Sequence, residues 1–350
     1  MSMRKRKKTQ KMLWDGVKEA ALYIKQGGLV AFPTETVYGL GGDALNKKTV
    51  EKIYSAKGRP GDNPLIVHVA KADDFWRLTC DVPGYVKLLI EAFWPGPLTL
   101  VARKHSDLPK WVGVHPSKEA STVAVRMPSH PIALSLIEES GCFIAAPSAN
   151  KSGKPSPTSA GHVREDFPDR DELGITILDG GYATVGLEST VVDITGDRPV
   201  VLRPGSITEE DIERAVNLKV SGTHFVSGDA PRAPGTKYKH YAPKAPLTIL
   251  VGSRMDIADY LTDAAKTPGM GALVMPKTFE LMSELTRVNS KTIVAGPQAE
   301  LFAQSLYANL RAFDNLDVNR IFAECTPFDG IGYAVMDRMQ KAAEGRILIV

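Results

Sequence analysis

Residues 29–39 read LVAFPTETVYG. Leu29–Phe32 is a short apolar run of strand-forming residues. Pro33 ends it, because proline lacks the N–H that a ladder needs. A polar loop follows. The same arrangement recurs further along. Lys57-Gly58-Arg59-Pro60 leads through Asn63-Pro64 into an apolar strand, Leu65–Val69. The run Cys142–Ala146 empties into Pro147-Ser148-Ala149-Asn150. Glu188-Ser189-Thr190 opens the strand Ser189–Ile194, and Arg203-Pro204-Gly205 closes Val200–Leu202. Open α/β sheets place ligands at strand ends, so motifs repeated at such positions predict one composite polar site.

Working outward, the patterns predict helices over Asp15–Gln26, Lys47–Lys57, Pro83–Phe93 and Pro131–Glu139. Further strands fall at Leu98–Ala102, Thr122–Arg126 and Ile175–Leu178. Helices and strands mix without strict alternation, which predicts a mixed twisted sheet with helices. After Leu247 the order changes. Strands at Leu247–Val251, Ala272–Met275, Lys291–Ala295 and Asn319–Ala323 alternate with helices at Met255–Ala265, Gln298–Phe313 and Gly332–Ala343. That is a smaller, Rossmann-like parallel α/β domain. Between them, Ser227–Leu247 carries Pro231, Pro234, Pro243 and Pro246 and reads as an extended connector. The expected division is a basic tail (1–11), a first domain (12–226), a linker (227–246) and a small domain (247–350). No catalytic constellation is visible in the small domain.

Composition bounds the rest. The chain has 350 residues, 43% hydrophobic and 24% charged, which excludes disorder over most of its length. The net charge of +3 is set by six cations within the first eleven residues, so the remainder is slightly acidic. Asp15, Lys18 and Glu19 interrupt any signal-peptide core. Cys80, Cys142 and Cys325 are far apart and form no CxxC pair, which argues against a zinc ribbon or disulfide framework and fits a cytoplasmic location.

The strand-end motifs hold Lys57, Arg59 and Arg203, and Arg126 ends the apolar strand Thr122–Arg126. They also hold hydroxyls from Thr34, Thr36, Ser148 and Ser189, and amides from Asn63 and Asn150. That inventory suits phosphate and carboxylate oxygens. Arg126 should be partly buried, and a buried arginine needs a partner. Two decoys are set aside. Gly39–Ala44 matches GxGxxA but does not directly follow a strand, and no helix starts before about Lys47. Ser152-Gly153-Lys154-Pro155 resembles the end of a phosphate loop but lacks its first glycine and its Ser/Thr.

These motifs, in this order, resemble the YrdC-like family. The proline-rich linker ending in Lys237-Tyr238-Lys239-His240-Tyr241-Ala242-Pro243, followed by a small α/β domain, is similar to its longer two-domain branch of threonylcarbamoyl-AMP synthases. The paired signature is Lys57-x-Arg59 with Ser148-x-Asn150. The resemblance implies a nucleotidyltransferase in which L-threonine, bicarbonate and ATP give threonylcarbamoyl-adenylate and pyrophosphate, feeding modification of the tRNA adenosine beside the anticodon. It implies catalytic roles for Lys57, Arg59, Ser148 and Asn150. Thr36, His68, Arg126, Ala146 and Ser189 would contact threonine. Arg59, Asn63, Thr122, Ser148, Ser156, Arg203 and a linker tyrosine, Tyr241 or Tyr238, would contact ATP. Mg2+ would arrive with ATP, held by phosphates with Glu35 nearby and no dedicated metal site. Downstream tRNA threonylcarbamoyl-transfer proteins would take the product, the basic tail would contact tRNA weakly at most, and no membrane partner is implied. The alternative from another class is a non-catalytic RNA-binding module, which the basic tail favours and the acidic body opposes.

Overall fold

The computed structural model describes residues 15–220, 241–326 and 329–350. The expected basic tail, most of the linker and Tyr238 lie outside the described residues. Two compact units are present. The second takes in Gly153–Ser156, Thr184–Leu187 and the described chain from residue 241, and the first holds the rest.

In the first unit the order is α1 (15–25), β1 (Leu29–Phe32), β2 (Gly39–Asp43), α2 (Lys47–Lys57), β3 (Ile66–His68), α3 (Asp74–Leu78), β4 (Thr79–Cys80), α4 (Val86–Phe93), β5 (Leu98–Lys104) and β6 (Thr122–Arg126). Then come α5 (Pro131–Ser140), β7 (Ile144–Ala145), α6 (Ala160–Asp166), β8 (Ile175–Ile177), β9 (Thr190–Asp193), β10 (Val200–Arg203) and α7 (Glu209–Val216). The strands make one sheet in the order β10-β9-β5-β6-β3-β7-β2-β1-β8, with β4 on β5. Pairs β1/β8, β3/β6 and β5/β9 are parallel and the others antiparallel, so the sheet is mixed.

Both faces are buried. Along β1, Leu29 and Ala31 enter one core cluster while Val30 and Phe32 enter another. Each fully buried aliphatic or aromatic side chain contributes about 1.5–3 kcal/mol, which fixes the register. On β6, Val123 and Val125 point to the large core, so Thr122, Ala124 and Arg126 share the opposite face. On β3, Val67 points to the core and His68 shares the Arg126 side.

The glycine-rich stretch Gly39–Asp43, set aside above as a failed fingerprint, is a central strand. Its glycines are spacers. A Cβ on Gly41 would meet Ile144 Cγ2 at 2.6 Å, and one on Gly42 would meet Thr49 Cγ2 at 2.3 Å. Helix α2 starts at the Asn46 cap, whose side chain accepts from Thr49 N at 3.2 Å. It ends at Gly58, whose φ of 59° is left-handed and turns the chain sharply between Lys57 and Arg59.

The second unit runs β11 (Leu247–Val251), α8 (Arg254–Ala264), β12 (Met270–Val274), α9 (Pro276–Leu281), α10 (Glu284–Asn289), β13 (Lys291–Val294), α11 (Ala299–Phe313), β14 (Arg320–Glu324), α12 (Ile331–Ala342) and β15 (Ile347–Ile349). Its sheet, β13-β12-β14-β11-β15, is parallel throughout. The mixed-plus-parallel architecture expected from the sequence is the one observed. Among the described residues no helix is long and apolar enough to cross a membrane.

Candidate active site

The sheet brings one set of strand ends together. His68 and Arg126 are partners across the parallel pair β3/β6. Gly39 bridges to Ser148, and Ala146 N donates to Ile66 O at 2.9 Å. Leu98 partners Thr190, so Ser189 stands at the start of β9, beside the first residues of β5. His68, Arg126 and Ser189 therefore stand at one end of the sheet, Thr36 is tied to Arg126, and Ala146 lies level with Ile66, two residues back; all five are buried.

Arg126 is the most constrained of them. Its Nε donates to Gly96 O (3.2 Å), Nη1 to Thr36 Oγ1 (2.9 Å) and Nη2 to Glu35 Oε1 (2.7 Å). A guanidinium has five N–H groups, so two remain, one on each terminal nitrogen. Glu35 Oε2 accepts from Ser129 N at 3.1 Å. Burial works to raise the Glu35 carboxyl, but the Arg126 charge and these hydrogen bonds outweigh it and hold Glu35 below its usual range.

The threonine hydroxyls can be oriented by elimination. Thr34 Oγ1 donates its single proton to Val37 O at 2.7 Å. The 2.8 Å contact between Thr34 Oγ1 and Thr36 Oγ1 must then run from Thr36 to Thr34. Thr36 accepts from Arg126 and gives its proton to Thr34, so it can offer a ligand only a lone pair.

His68 is buried, with Phe32 edge-on at 6.1 Å. Its Nδ1 has no partner among the described residues. Burial, aided by the Arg126 charge, pushes its pKa down to about 3, so the ring is neutral near pH 7.

A second group forms around α2. Lys57 Nζ donates to the backbone oxygens of Ser148 and Asn150. Leu40 N donates to Pro147 O (2.9 Å) and Ala149 N to Tyr38 O (2.7 Å), so the loop is held from both sides. Arg59 Nη2 donates to Asn63 Oδ1 and to Pro64 O, both at 2.7 Å, while Tyr54 OH donates to Asn63 O at 2.9 Å. On the far side, Arg203 donates through Nε and Nη2 to Ser189 O (3.1 and 2.9 Å), and Ser189 Oγ lies 2.7 Å from Thr99 Oγ1.

Thr122 begins β6 on the face that Arg126 ends. At about 3.3 Å per residue the two are roughly 13 Å apart. A cleft of about 820 Å³ is lined there by Thr122, Ala124, Asp62, Pro64, Arg103 and Lys118. Its other wall is thus the loop that Arg59 organises. Ser156 and Tyr241 belong to the second unit. There Tyr241 is buried and stacks on Tyr307 (centroids 5.2 Å, planes 30° apart).

Sequence reasoning did not assign Glu35 to Arg126, nor Thr99 and Tyr54 to any role. The signal for Glu35 was present, since a buried arginine demanded an anion. Thr99 and Tyr54 gave none. Among the described residues no group of three His, Cys, Asp or Glu side chains is placed to hold a metal, and Glu35 has both oxygens engaged.

The arrangement is that of an α/β protein with cations and hydroxyls clustered along one face of a strand. Comparison with known proteins gives the class a family. A family model described as "Telomere recombination" matches residues 22–205. Another, described as "Threonylcarbamoyl-AMP synthase, C-terminal domain", matches residues 207–344. A Bacillus subtilis protein named threonylcarbamoyl-AMP synthase is 44% identical over 333 residues, covering 95% of this chain and 94% of its own. A Pyrococcus abyssi protein of the same name is 43% identical over 337 residues, covering 95% and 96%. The crystal structure of P. abyssi Sua5 complexed with L-threonine superposes with a TM-score of 0.85 at 41% identity, covering 95% of this chain and 96% of that one. The chain belongs to the threonylcarbamoyl-AMP synthase family, in its two-domain form, and is an enzyme of the nucleotidyltransferase type.

Proposed function

We propose that this site joins L-threonine, bicarbonate and MgATP into threonylcarbamoyl-adenylate, releasing pyrophosphate and water, to supply tRNA threonylcarbamoyladenosine modification. The observation that carries the reading is the Arg126 guanidinium, pinned by three hydrogen bonds with one N–H remaining on each terminal nitrogen. A bidentate carboxylate fits such a pair. The amino acid would lie at this end of β6 and the nucleotide toward Thr122, a spacing suited to the elongated mixed anhydride.

In this reading Thr36, His68, Ala146 and Ser189 complete the threonine pocket with Arg126. Arg59, Asn63, Thr122, Ser148, Ser156 and Arg203 serve ATP. Tyr241 or Tyr238 would cover the nucleotide. Lys57 shapes the Ser148–Asn150 loop, and Arg59, Ser148 and Asn150 stand with it as catalytic candidates.

The amine, once deprotonated, attacks the carbon of bicarbonate or CO2 and forms a carbamate. A carbamate oxygen then attacks the α-phosphorus, and the bond to the β-phosphate oxygen breaks as pyrophosphate leaves. The Mg2+ of MgATP shields the phosphate charge. The residues supply positioning and fixed positive potential, which alone can lower such barriers by several kcal/mol. Three free cysteines suit a cytoplasmic setting, and the product would pass to separate tRNA-modifying partners. We keep the division at a 227–246 linker as our reading.

The direct test is pyrophosphate release from ATP with threonine and bicarbonate omitted in turn. Release that requires both supports adenylate synthesis. Release indifferent to threonine sinks it and brings the RNA-binding alternative forward.

A further inference from the structure

We propose that Glu35 is a positioning residue that fixes the Arg126 guanidinium to receive the threonine carboxylate. The inference rests on the threonine reading above. Three facts carry it. Glu35 Oε1 bonds Arg126 Nη2 at 2.7 Å, with both side chains buried. Glu35 Oε2 accepts from Ser129 N at 3.1 Å, three residues beyond Arg126. Neighbouring Thr36 takes the other terminal nitrogen at 2.9 Å, and Gly96 O takes Nε.

Glu35 therefore ties the loop after β1 to the chain leaving β6. A guanidinium held at Nε and at both terminal nitrogens cannot rotate about its last bonds. That fixes the directions of its two remaining N–H groups. Without Glu35, Nη2 has no acceptor left among the described residues, and only the Gly96 and Thr36 contacts hold the plate. Glu35 also supplies the counter-charge that a buried arginine requires before substrate arrives. The same geometry opposes a direct metal role, since each Glu35 oxygen already accepts a hydrogen bond.

The test is Glu35→Gln in the full chain, followed by pyrophosphate release against threonine, ATP and Mg2+. Glutamine keeps the length and one acceptor for Nη2, but it loses the charge and sets an amide against Ser129 N–H. The expected result is a threonine KM raised about tenfold or more, with ATP KM and half-saturating Mg2+ each within about twofold. An unchanged threonine KM overturns the proposal. So does a raised Mg2+ requirement, which would make Glu35 a metal ligand.

Arg126→Lys is the companion variant. If it leaves threonine KM unchanged, the threonine site itself is misplaced. If it raises threonine KM and Glu35→Gln does not, only the positioning role fails. Should Glu35→Gln fail to fold, Glu35→Asp keeps the charge and draws the anchor back by one methylene. A raised threonine KM with near-native melting is then expected, and an unchanged one counts against the proposal.

Discussion

Lys57, the last residue of α2, donates its ammonium to the backbone oxygen of Asn150, on the loop after β7. Ser148 O accepts from the same nitrogen. Two carbonyls more than ninety residues along the chain thus converge on one cation, which sets the shape of the Ser148–Asn150 loop. Lys57→Met should remove both bonds, although Ser148 O still accepts from Asn150 N at 3.0 Å. A hydrogen bond from a charged donor contributes about 1.5–3 kcal/mol, so about 3–6 kcal/mol of stability should be lost, and ATP KM should rise. Lys57→Arg should not rescue it, because a planar fork does not replace a compact ammonium. Urea melts and ATP saturation curves check this. A Met variant with native stability and ATP KM would show that the loop holds itself.

The orientation of Thr36 bears on substrate choice. Thr36 offers only a lone pair, so its ligand must bring an N–H or O–H. Serine lacks the threonine methyl and should lose about 1–3 kcal/mol of kcat/KM, or roughly 5- to 150-fold. Valine lacks the hydroxyl and should lose more, because a buried polar group is left unpaired. Pyrophosphate release with each amino acid decides it. Valine performing as well as serine would end the idea of a hydroxyl-reading pocket.

Much of this site was legible because polar motifs follow apolar runs, and strand ends converge in a sheet. Arg126 announced its burial through the alternation of Thr122–Arg126. Its need for an anion then followed, although the anion had to be seen to be Glu35. Lys57 was not legible in the same way. Its partners are backbone oxygens, which have no identity in a sequence. The strand Gly39–Asp43 was missed because three glycines in five residues erase the alternation that marks a strand. What selects them is the side chains of Ile144 and Thr49, contacts that exist only after folding. Short helices such as Asp74–Leu78 carry too few turns to show a period.

Burial of His68 makes stability depend on pH. Its pKa is near 6.5 when unfolded and about 3 in the folded protein, with desolvation the main cause. Between those values the unfolded chain binds a proton that the folded chain refuses. Stability is therefore full above about pH 6.5 and falls toward pH 3, by up to about 1.4 kcal/mol per unit. His130 is lowered by burial too and adds in the same direction. Glu35, also lowered, adds stability above its ordinary 4.5 that disappears as the pH drops through its folded value. His68→Gln should flatten the slope between about pH 6.5 and 4.5 and leave the steeper loss below it. Denaturant midpoints measured across that range, with an unchanged slope in the variant, would contradict a neutral buried His68.

Tyr241 has a double part that one variant cannot separate. A tyrosine that only contacted ATP could be truncated with the fold spared. The surroundings of Tyr241 argue otherwise. Tyr241 is buried, its ring stacks on Tyr307, and the Arg338 guanidinium lies 5.8 Å from its centroid. Its φ of 65° is also left-handed, which is uncommon for a residue other than glycine. Removing the ring should cost the second unit about 3 kcal/mol, as for other large aromatic truncations. Tyr241→Phe retains the stack and deletes the hydroxyl alone. If the hydroxyl serves ATP, Phe should raise ATP KM while the melting temperature stays near native, and Ala should shift both. If Phe behaves as wild type in ATP saturation while Ala still melts early, Tyr241 acts as a core residue of the second unit, and a linker residue such as Tyr238 becomes the candidate for the nucleotide.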